Sequence, residues 1–239
     1  MLDTGCWLLV LGYKYTVMPN ALKIMLIIHI ISGFIALITG FISMLTTKGG
    51  KRHRFSGKIF FGAMTGVFIT AIFISIVKGL AFLLMVGFFS YYLACAGYRR
   101  IKPRKKPFKQ RPAFMDWVIS LTGILAGLAL IIFSISWFSN RGAFGIVPLS
   151  FGTFCFLTGI QDLGTFFYPP ANKLYWIRGH GIRMGASFAA TITAFIVVNV
   201  NIGAYNWVLW VLPGVLTGIW ISRAIRNFLH PAAAKNEST

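Results

Sequence analysis

Seven apolar stretches, each about as long as a helix needs to cross a bilayer, dominate this 239-residue sequence. The hydrocarbon core of a bilayer is about 30 Å thick, and about 20 residues of helix span it. Segments inside that core must pair their backbone polar groups internally, which a helix does. The stretches cover residues 22–46, 58–77, 79–98, 114–138, 146–168, 181–200 and 207–225. The sequence therefore predicts an all-α, polytopic transmembrane bundle of about seven helices.

The composition favours the same fold class. Hydrophobic residues make up 57% of the chain and charged residues only 11%, whereas soluble domains carry about 25% charged residues. A soluble fold of this length would lack the polar side chains needed to cover its core. We expect one transmembrane domain over residues 22–225, with a short N-terminal extension, 1–21, and a cytoplasmic tail, 226–239.

The distribution of basic residues predicts the orientation of the bundle. Of the 23 Lys and Arg residues, 19 fall in the loops and ends on one side of the predicted membrane. The other side has only four, which are Lys14, Lys23, Lys78 and Arg141. Because basic residues are enriched in cytoplasmic loops, the N-terminus is predicted outside and the C-terminus in the cytoplasm. The expected location is the inner cell membrane.

The densest basic segment, residues 99–111, could bind either nucleic acid or anionic lipid. A formal net charge of +19 can indicate nucleic-acid binding. This segment lies between two predicted spans, however, and lacks the interleaved aromatic residues on which bases stack. Anionic lipid headgroups attract juxtamembrane basic residues by about 1 kcal/mol each. We therefore expect the lipid bilayer and its anionic headgroups as partners, and no nucleic acid.

Pairs of glycines spaced four residues apart predict close contacts between helices. Such spacing lets two helix backbones approach each other inside a membrane. The three pairs are Gly62 with Gly66, Gly123 with Gly127, and Gly214 with Gly218.

The few polar side chains at membrane depth are the candidate site residues, because such groups are costly there and usually face the bundle interior. On the sixth predicted helix, His180, Arg183, Ser187 and Thr191 share one face. His53, His180, Asp116 and Asp162 are all predicted near the cytoplasmic surface, where they could form one polar layer. His29 lies on the first helix, nearer the outer surface. We expect its side chain to point into the bundle.

Three short motifs occur in the same order as similar motifs in a known family. They are His29-x-x-x-Gly33, His53-Arg54-x-x-Gly57 and His180-x-x-x-Met184. With their placement over residues 22–225, they resemble a bacterial family of multi-pass membrane proteins that is described as a domain of unknown function. The resemblance implies the membrane fold and marks the three histidines. It implies no established activity.

Two classes of function are compatible with these residues. In the first, interior histidines bind a cofactor, since histidines on transmembrane helices serve as axial ligands of b-type haem. His53, His180 and His29 are the candidate cofactor ligands. A divalent metal held by His53, His180, Asp116 and Asp162 is a variant of this hypothesis. The plainer alternatives are that the histidines only form hydrogen bonds and that the aspartates pair with Arg183 or with the basic loop.

The second class is a small-molecule or proton-linked transporter, or a membrane sensor, without a cofactor. Intramembrane Asp and His residues are typical of such proteins. The sequence has no visible inverted repeat and no pair of proline-broken helices in matching positions, which weighs against a transporter. No residue pattern indicates a catalytic group, and whether the chain is an enzyme stays open.

Overall fold

The structure, a computed structural model, describes residues 20–101 and 112–236. This part of the chain forms seven long α-helices and no β-strand. They are α1 (Asn20–Leu45), α2 (Lys51–Lys78), α3 (Ala81–Arg100), α4 (Phe114–Arg141), α5 (Ile146–Phe167), α6 (Lys173–Asn199) and α7 (Asn206–Asn236). The prediction of an all-α bundle is therefore confirmed. The predicted N-terminal extension lies almost wholly outside the described residues.

By length and hydropathy, the described helices supply six candidate membrane spans, because the run Phe114–Phe167 counts as one stretch of 54 residues. That stretch contains both α4 and α5, joined by a short 3₁₀ turn, Gly142–Gly145. The two helices lie side by side, since a Cβ atom built on Gly127 would stand 2.6 Å from the backbone nitrogen of Phe156. The stretch is therefore a helical hairpin.

Three helices extend by about two turns or more beyond the apolar stretches that predicted them. α2 begins at Lys51 instead of residue 58, α6 begins at Lys173 instead of 181, and α7 runs to Asn236 instead of 225. The additional turns carry basic side chains, whose apolar stems can follow the helix while their charges remain in water. As a result, His53 belongs to the first turn of α2 and not to the loop before it.

The chain reverses direction in a tight turn between α2 and α3. α2 ends at Lys78, and Gly79 adopts a left-handed conformation with a φ of 65°. Its backbone N–H points back to the last carbonyl groups of α2. Glycine adopts this conformation without steric cost, so the chain reverses direction at once.

The centre of the bundle is α3, which packs against α2, α4, α5 and α6. One cluster of buried side chains joins α1, α2, α3 and α6 around Phe60, Ala94 and Phe188. A second cluster joins α3, α4 and α5 around Tyr92, Leu130 and Cys155. α1 contacts mainly α2, and its outer face carries a row of exposed isoleucines. That face is suited to contact with lipid.

The glycine pairs differ in what they contact. Gly123 lies against the ring of Tyr92, and Gly127 lies against the backbone of α5. Gly66 faces the hydroxyl group of Ser32. In contrast, a Cβ atom at Gly214 or Gly218 would meet nothing within 4 Å among the described residues. The predicted close contact is therefore present at the second pair and wrong for the third.

Candidate functional site

Asp162, on the last turns of α5, is the centre of a buried charged cluster. Arg183 of α6 donates from Nε to one carboxylate oxygen of Asp162 at 3.1 Å and forms an ion pair with the other through Nη2 at 2.8 Å. Arg100, the last residue of α3, also donates to it from Nε at 3.2 Å and forms an ion pair through Nη2. The hydroxyl group of Tyr92 donates at 2.7 Å. The cluster therefore consists of two guanidinium groups and one carboxylate. It has little access to water, since Arg183 is only 1% exposed.

Glycine makes this arrangement possible. A Cβ atom at Gly179 would stand 2.1 Å from Nη1 of Arg100, so only glycine leaves room for that side chain to reach Asp162. Gly97 likewise allows the backbone of Met184 to approach α3. The cluster therefore depends on close packing between α3 and α6.

Aromatic and carbonyl groups surround the two arginines. The guanidinium carbon of Arg100 lies 5.3 Å and 5.5 Å from the ring centroids of Tyr175 and Trp176. Arg183 also donates to the backbone carbonyl of Thr158 at 3.0 Å. Ring faces and carbonyl dipoles stabilise a buried cation, although less than a full counter-charge does.

Asp116 has a separate role at the start of α4. Its carboxylate accepts the backbone N–H of Ala113 at 2.9 Å, as a helix-capping residue does. It also pairs with Arg99, whose Nε lies 2.6 Å away. The alternative in which the aspartates form ion pairs with Arg183 or with the basic segment is therefore present at both positions.

His53 and His180 face each other across the α2–α6 contact. Their ring centroids are 6.3 Å apart, and their planes are nearly perpendicular, at 83°. The Nδ1 atom of His53 lies 3.0 Å from the carbonyl oxygen of Ser43, and that of His180 lies 2.8 Å from the carbonyl oxygen of Gly97. A carbonyl oxygen can only accept, so each ring carries its hydrogen on Nδ1. Each Nε2 atom therefore keeps its lone pair.

Lys48 lies beside this histidine pair, in the turn between α1 and α2. Its ammonium group donates to the carbonyl oxygens of Ser43 at 3.1 Å and Met44 at 2.6 Å. It thus shares the Ser43 carbonyl with His53 and satisfies the last turn of α1. Partial burial lowers the pKa of Lys48 below its ordinary value of 10.5.

His29 lies apart from the other histidines. Its Nδ1 atom donates to the hydroxyl oxygen of Thr70 at 2.9 Å, because the Thr70 hydroxyl itself donates to the carbonyl of Gly66. Thr70 is buried in α2, so His29 points towards the bundle and not into lipid. Fourteen residues of helix separate it from Ser43, which is about 21 Å along α1.

The predicted polar layer is thus divided into neighbouring sites. The histidine pair and the Asp162 cluster adjoin through the end of α3, which supplies Gly97 to one and Arg100 to the other. No three His, Cys, Asp or Glu side chains within the described ranges form a group that could hold a metal ion. Ser187 and Arg183 are buried as expected, and Ser187 donates to the carbonyl of Ser90 at 3.1 Å. Thr191 donates to Ser187 in turn.

Two members of these sites were not singled out from the sequence. Arg100 falls in the basic segment 99–111, and Tyr92 falls inside the apolar stretch 79–98. A signal for Arg100 does exist, because no helix-breaking residue intervenes before Pro103, and α3 can continue through Arg100. Nothing in the local pattern marks Tyr92.

A half-open cavity of about 30 Å³ lies between the same ends of α3, α4, α5 and α6. Its polar lining comes from Arg99, Arg100, Asp116, Ser120, Asp162 and Thr165. Trp176 and Phe166 contribute to the apolar part of the wall. This volume is enough for about two water molecules.

Comparison with known proteins identifies a family and nothing more specific. Neither the curated proteins nor the solved structures contain a significant match. The family model described as "Predicted membrane protein (DUF2306)" matches residues 26–160, which is more than half of the chain. The match covers α1 to α4 and most of α5, including His29 and His53. The chain therefore belongs to the DUF2306 family of predicted membrane proteins.

Proposed function

We propose that this membrane protein binds haem through His53 and His180 and takes part in redox chemistry at the membrane. The observation that carries the proposal is the facing histidine pair. Each ring is held by a hydrogen bond from Nδ1 to a backbone carbonyl. Metal-ligating histidines are typically held in this way, because the bond fixes the ring and leaves Nε2 to bind the metal.

The separation of the rings suits one iron atom between them. A histidine nitrogen binds a metal ion at about 2.0–2.1 Å, and about 1 Å separates that nitrogen from the ring centre. Two ligands on opposite sides of a metal would therefore place their ring centroids about 6 Å apart. The centroids of His53 and His180 are 6.3 Å apart.

Haem is favoured over a metal ion held by side chains alone. A structural zinc site uses four protein ligands, and a catalytic one uses three. No group of three His, Cys, Asp or Glu side chains occurs among residues 20–101 and 112–236. Haem brings nitrogen ligands of its own, so His53 and His180 would be sufficient to hold it, and it would supply one-electron redox chemistry when bound. His29 forms its hydrogen bond far from this pair and is not assigned to the site.

Transport is the weaker alternative. Its best candidate for a proton carrier is Asp162, the buried aspartate at the centre of the charged cluster. Both carboxylate oxygens of Asp162 already accept hydrogen bonds from guanidinium groups. These ion pairs give Asp162 a structural role in the cluster, which weakens the support for transport.

An absorbance spectrum of the full-length protein tests the haem proposal. The protein is produced with a haem precursor in the growth medium and purified in detergent. We expect a Soret band in the wild type and its loss in His53→Ala and His180→Ala. His29→Ala, whose site lies about 21 Å along α1 from the pair, should keep the band. A folded wild-type protein without a Soret band would overturn the proposal.

We also infer that the protein lies in the inner cell membrane. Its N-terminus would be on the outer side of that membrane and its C-terminus on the cytoplasmic side. The support is the basic excess of 19 residues to four, which would also draw anionic lipid headgroups to the cytoplasmic face. In a cysteine-free variant, Lys105→Cys should react with a membrane-impermeant thiol reagent only after the cells are opened. Labelling of this cysteine in intact cells would show that the opposite orientation is correct.

A further inference from the structure

The Asp162 cluster contains one more positive charge than negative charge. Arg100 and Arg183 share the single carboxylate of Asp162. Their side chains are only 5% and 1% exposed. The neighbouring pair of Arg99 and Asp116 adds no net charge.

A surplus cation at this depth needs a counter-charge. Buried charges are costly unless they are paired, and charged groups at membrane depth pair with one another or line a polar path. The whole chain has only four acidic residues, which are Asp3, Asp116, Asp162 and Glu237. The two that the structure describes are already paired with arginines. The compensating anion is therefore expected to come from outside the described part of the chain.

The half-open cavity gives such an anion a place. Arg99 and Arg100 line it, and so does Ser120 of α4. Ser120 is only 2% exposed, and it lies on the wall of the cavity beside the two arginines. Guanidinium and hydroxyl groups together are typical donors to phosphate oxygens.

The position of the cavity indicates which kind of anion could reach it. It lies where α3 and α5 end and where α4 and α6 begin, at the basic end of the bundle. Phosphate groups of lipids lie at the level where transmembrane helices leave the hydrocarbon core. The cavity is small and half open, so one or two oxygen atoms of a phosphate group can enter it while the rest of the molecule stays outside.

We propose that this cavity binds the phosphate group of an anionic ligand, with Arg100 and Ser120 as donors. The phosphate has two possible sources, an anionic phospholipid or free phosphate in the cytoplasm. Since neither His53 nor His180 lines this cavity, the proposal does not depend on haem binding.

The test measures the thermal unfolding midpoint of the full-length protein in detergent. The midpoint is followed while phosphatidylglycerol, phosphatidylcholine or inorganic phosphate is added. We expect phosphatidylglycerol to raise it more than phosphatidylcholine does, with a saturable dependence on concentration. Stabilisation by inorganic phosphate alone would identify the free anion as the source, and stabilisation by phosphatidylglycerol alone would identify the lipid.

Three variants locate the effect. Ser120→Ala removes one hydroxyl group from the cavity wall and leaves every charge in place, so it should weaken binding about tenfold. Arg100→Gln should abolish the stabilisation. Arg226→Gln, which changes an exposed arginine of α7, is the matched control and should respond as the wild type does.

Three outcomes would overturn the proposal. One is equal stabilisation of the wild type by both lipids together with no effect of phosphate. The second is an undiminished response in Ser120→Ala, and the third is an equal loss in Arg226→Gln. Either of the last two would mean that the anion binds the basic surface and not the cavity. If Arg100→Gln does not fold, the Ser120→Ala titration alone decides.

Discussion

Replacement of Asp162 by asparagine should destabilise the bundle more than removal of either arginine that binds it. In the wild type, one carboxylate compensates two guanidinium groups. Asp162→Asn leaves both of them buried without a counter-charge, whereas Arg183→Gln leaves the pair of Asp162 and Arg100 intact. The expected asymmetry follows from this count of charges.

The expected losses in the free energy of unfolding depend on how deeply each charged group is buried. Asp162 is 7% exposed, and removal of one partner from a buried ion pair costs about 3–5 kcal/mol. Arg183→Gln loses hydrogen bonds to Asp162 and Thr158 but leaves a neutral pair, so its cost should be about 1–3 kcal/mol. Asp116→Asn is the matched control. Its partner Arg99 is 26% exposed, and a pair open to solvent contributes about 1 kcal/mol or less.

The assay is reversible unfolding of the purified protein in mixed micelles with increasing amounts of a denaturing detergent, followed by circular dichroism. The free energy of unfolding should fall most for Asp162→Asn, less for Arg183→Gln and least for Asp116→Asn. A loss in Arg183→Gln equal to or larger than that in Asp162→Asn would refute the reasoning, because the carboxylate would then not be the limiting charge of the cluster.

Two further predictions concern packing and pH. Gly127→Ala would place a methyl group 2.6 Å from the backbone of Phe156, so it should lower the free energy of unfolding by about 1–3 kcal/mol in the same assay. Gly214→Ala, with nothing within 4 Å, should leave it unchanged or raise it by up to about 1 kcal/mol, and equal losses in both variants would contradict the packing account. Burial lowers the pKa of Lys48 in the folded protein below its ordinary value of 10.5. Between that lowered pKa and 10.5, the unfolded chain binds more protons than the folded chain does. The free energy of unfolding should therefore rise with pH across this window. Lys48→Met should remove this contribution, and an unchanged pH slope in the variant would show that Lys48 is not its source.

The candidate site could be predicted in part. Intramembrane polar residues are costly and so attract attention in a sequence, which is why His180, Asp162, Arg183 and Ser187 were all identified. Their partners were harder to predict. Arg100 resembled the start of a solvated loop, and Tyr92 resembled an ordinary residue of an apolar span.

Helix ends were also underestimated. A hydropathy pattern reports where the chain enters the hydrocarbon core, whereas a helix continues until its backbone hydrogen bonds stop. α2 and α6 therefore begin about two turns before their apolar stretches. This places His53 in the first turn of α2 and His180 inside α6 instead of at its start. Their facing arrangement depends on those additional turns.

The apolar stretches alone are sufficient to predict that this chain is a helical membrane bundle. Lipid cannot hydrogen-bond to the backbone, so every apolar stretch of sufficient length must become a helix whatever its neighbours are. Which polar groups meet depends instead on how the helices pack. Arg100 and Asp162 are 62 positions apart, and His180 and Gly97 are 83 positions apart. Their contacts depend on how α3 packs against α5 and α6, which is set by the summed close contacts along whole helices and not by any local pattern.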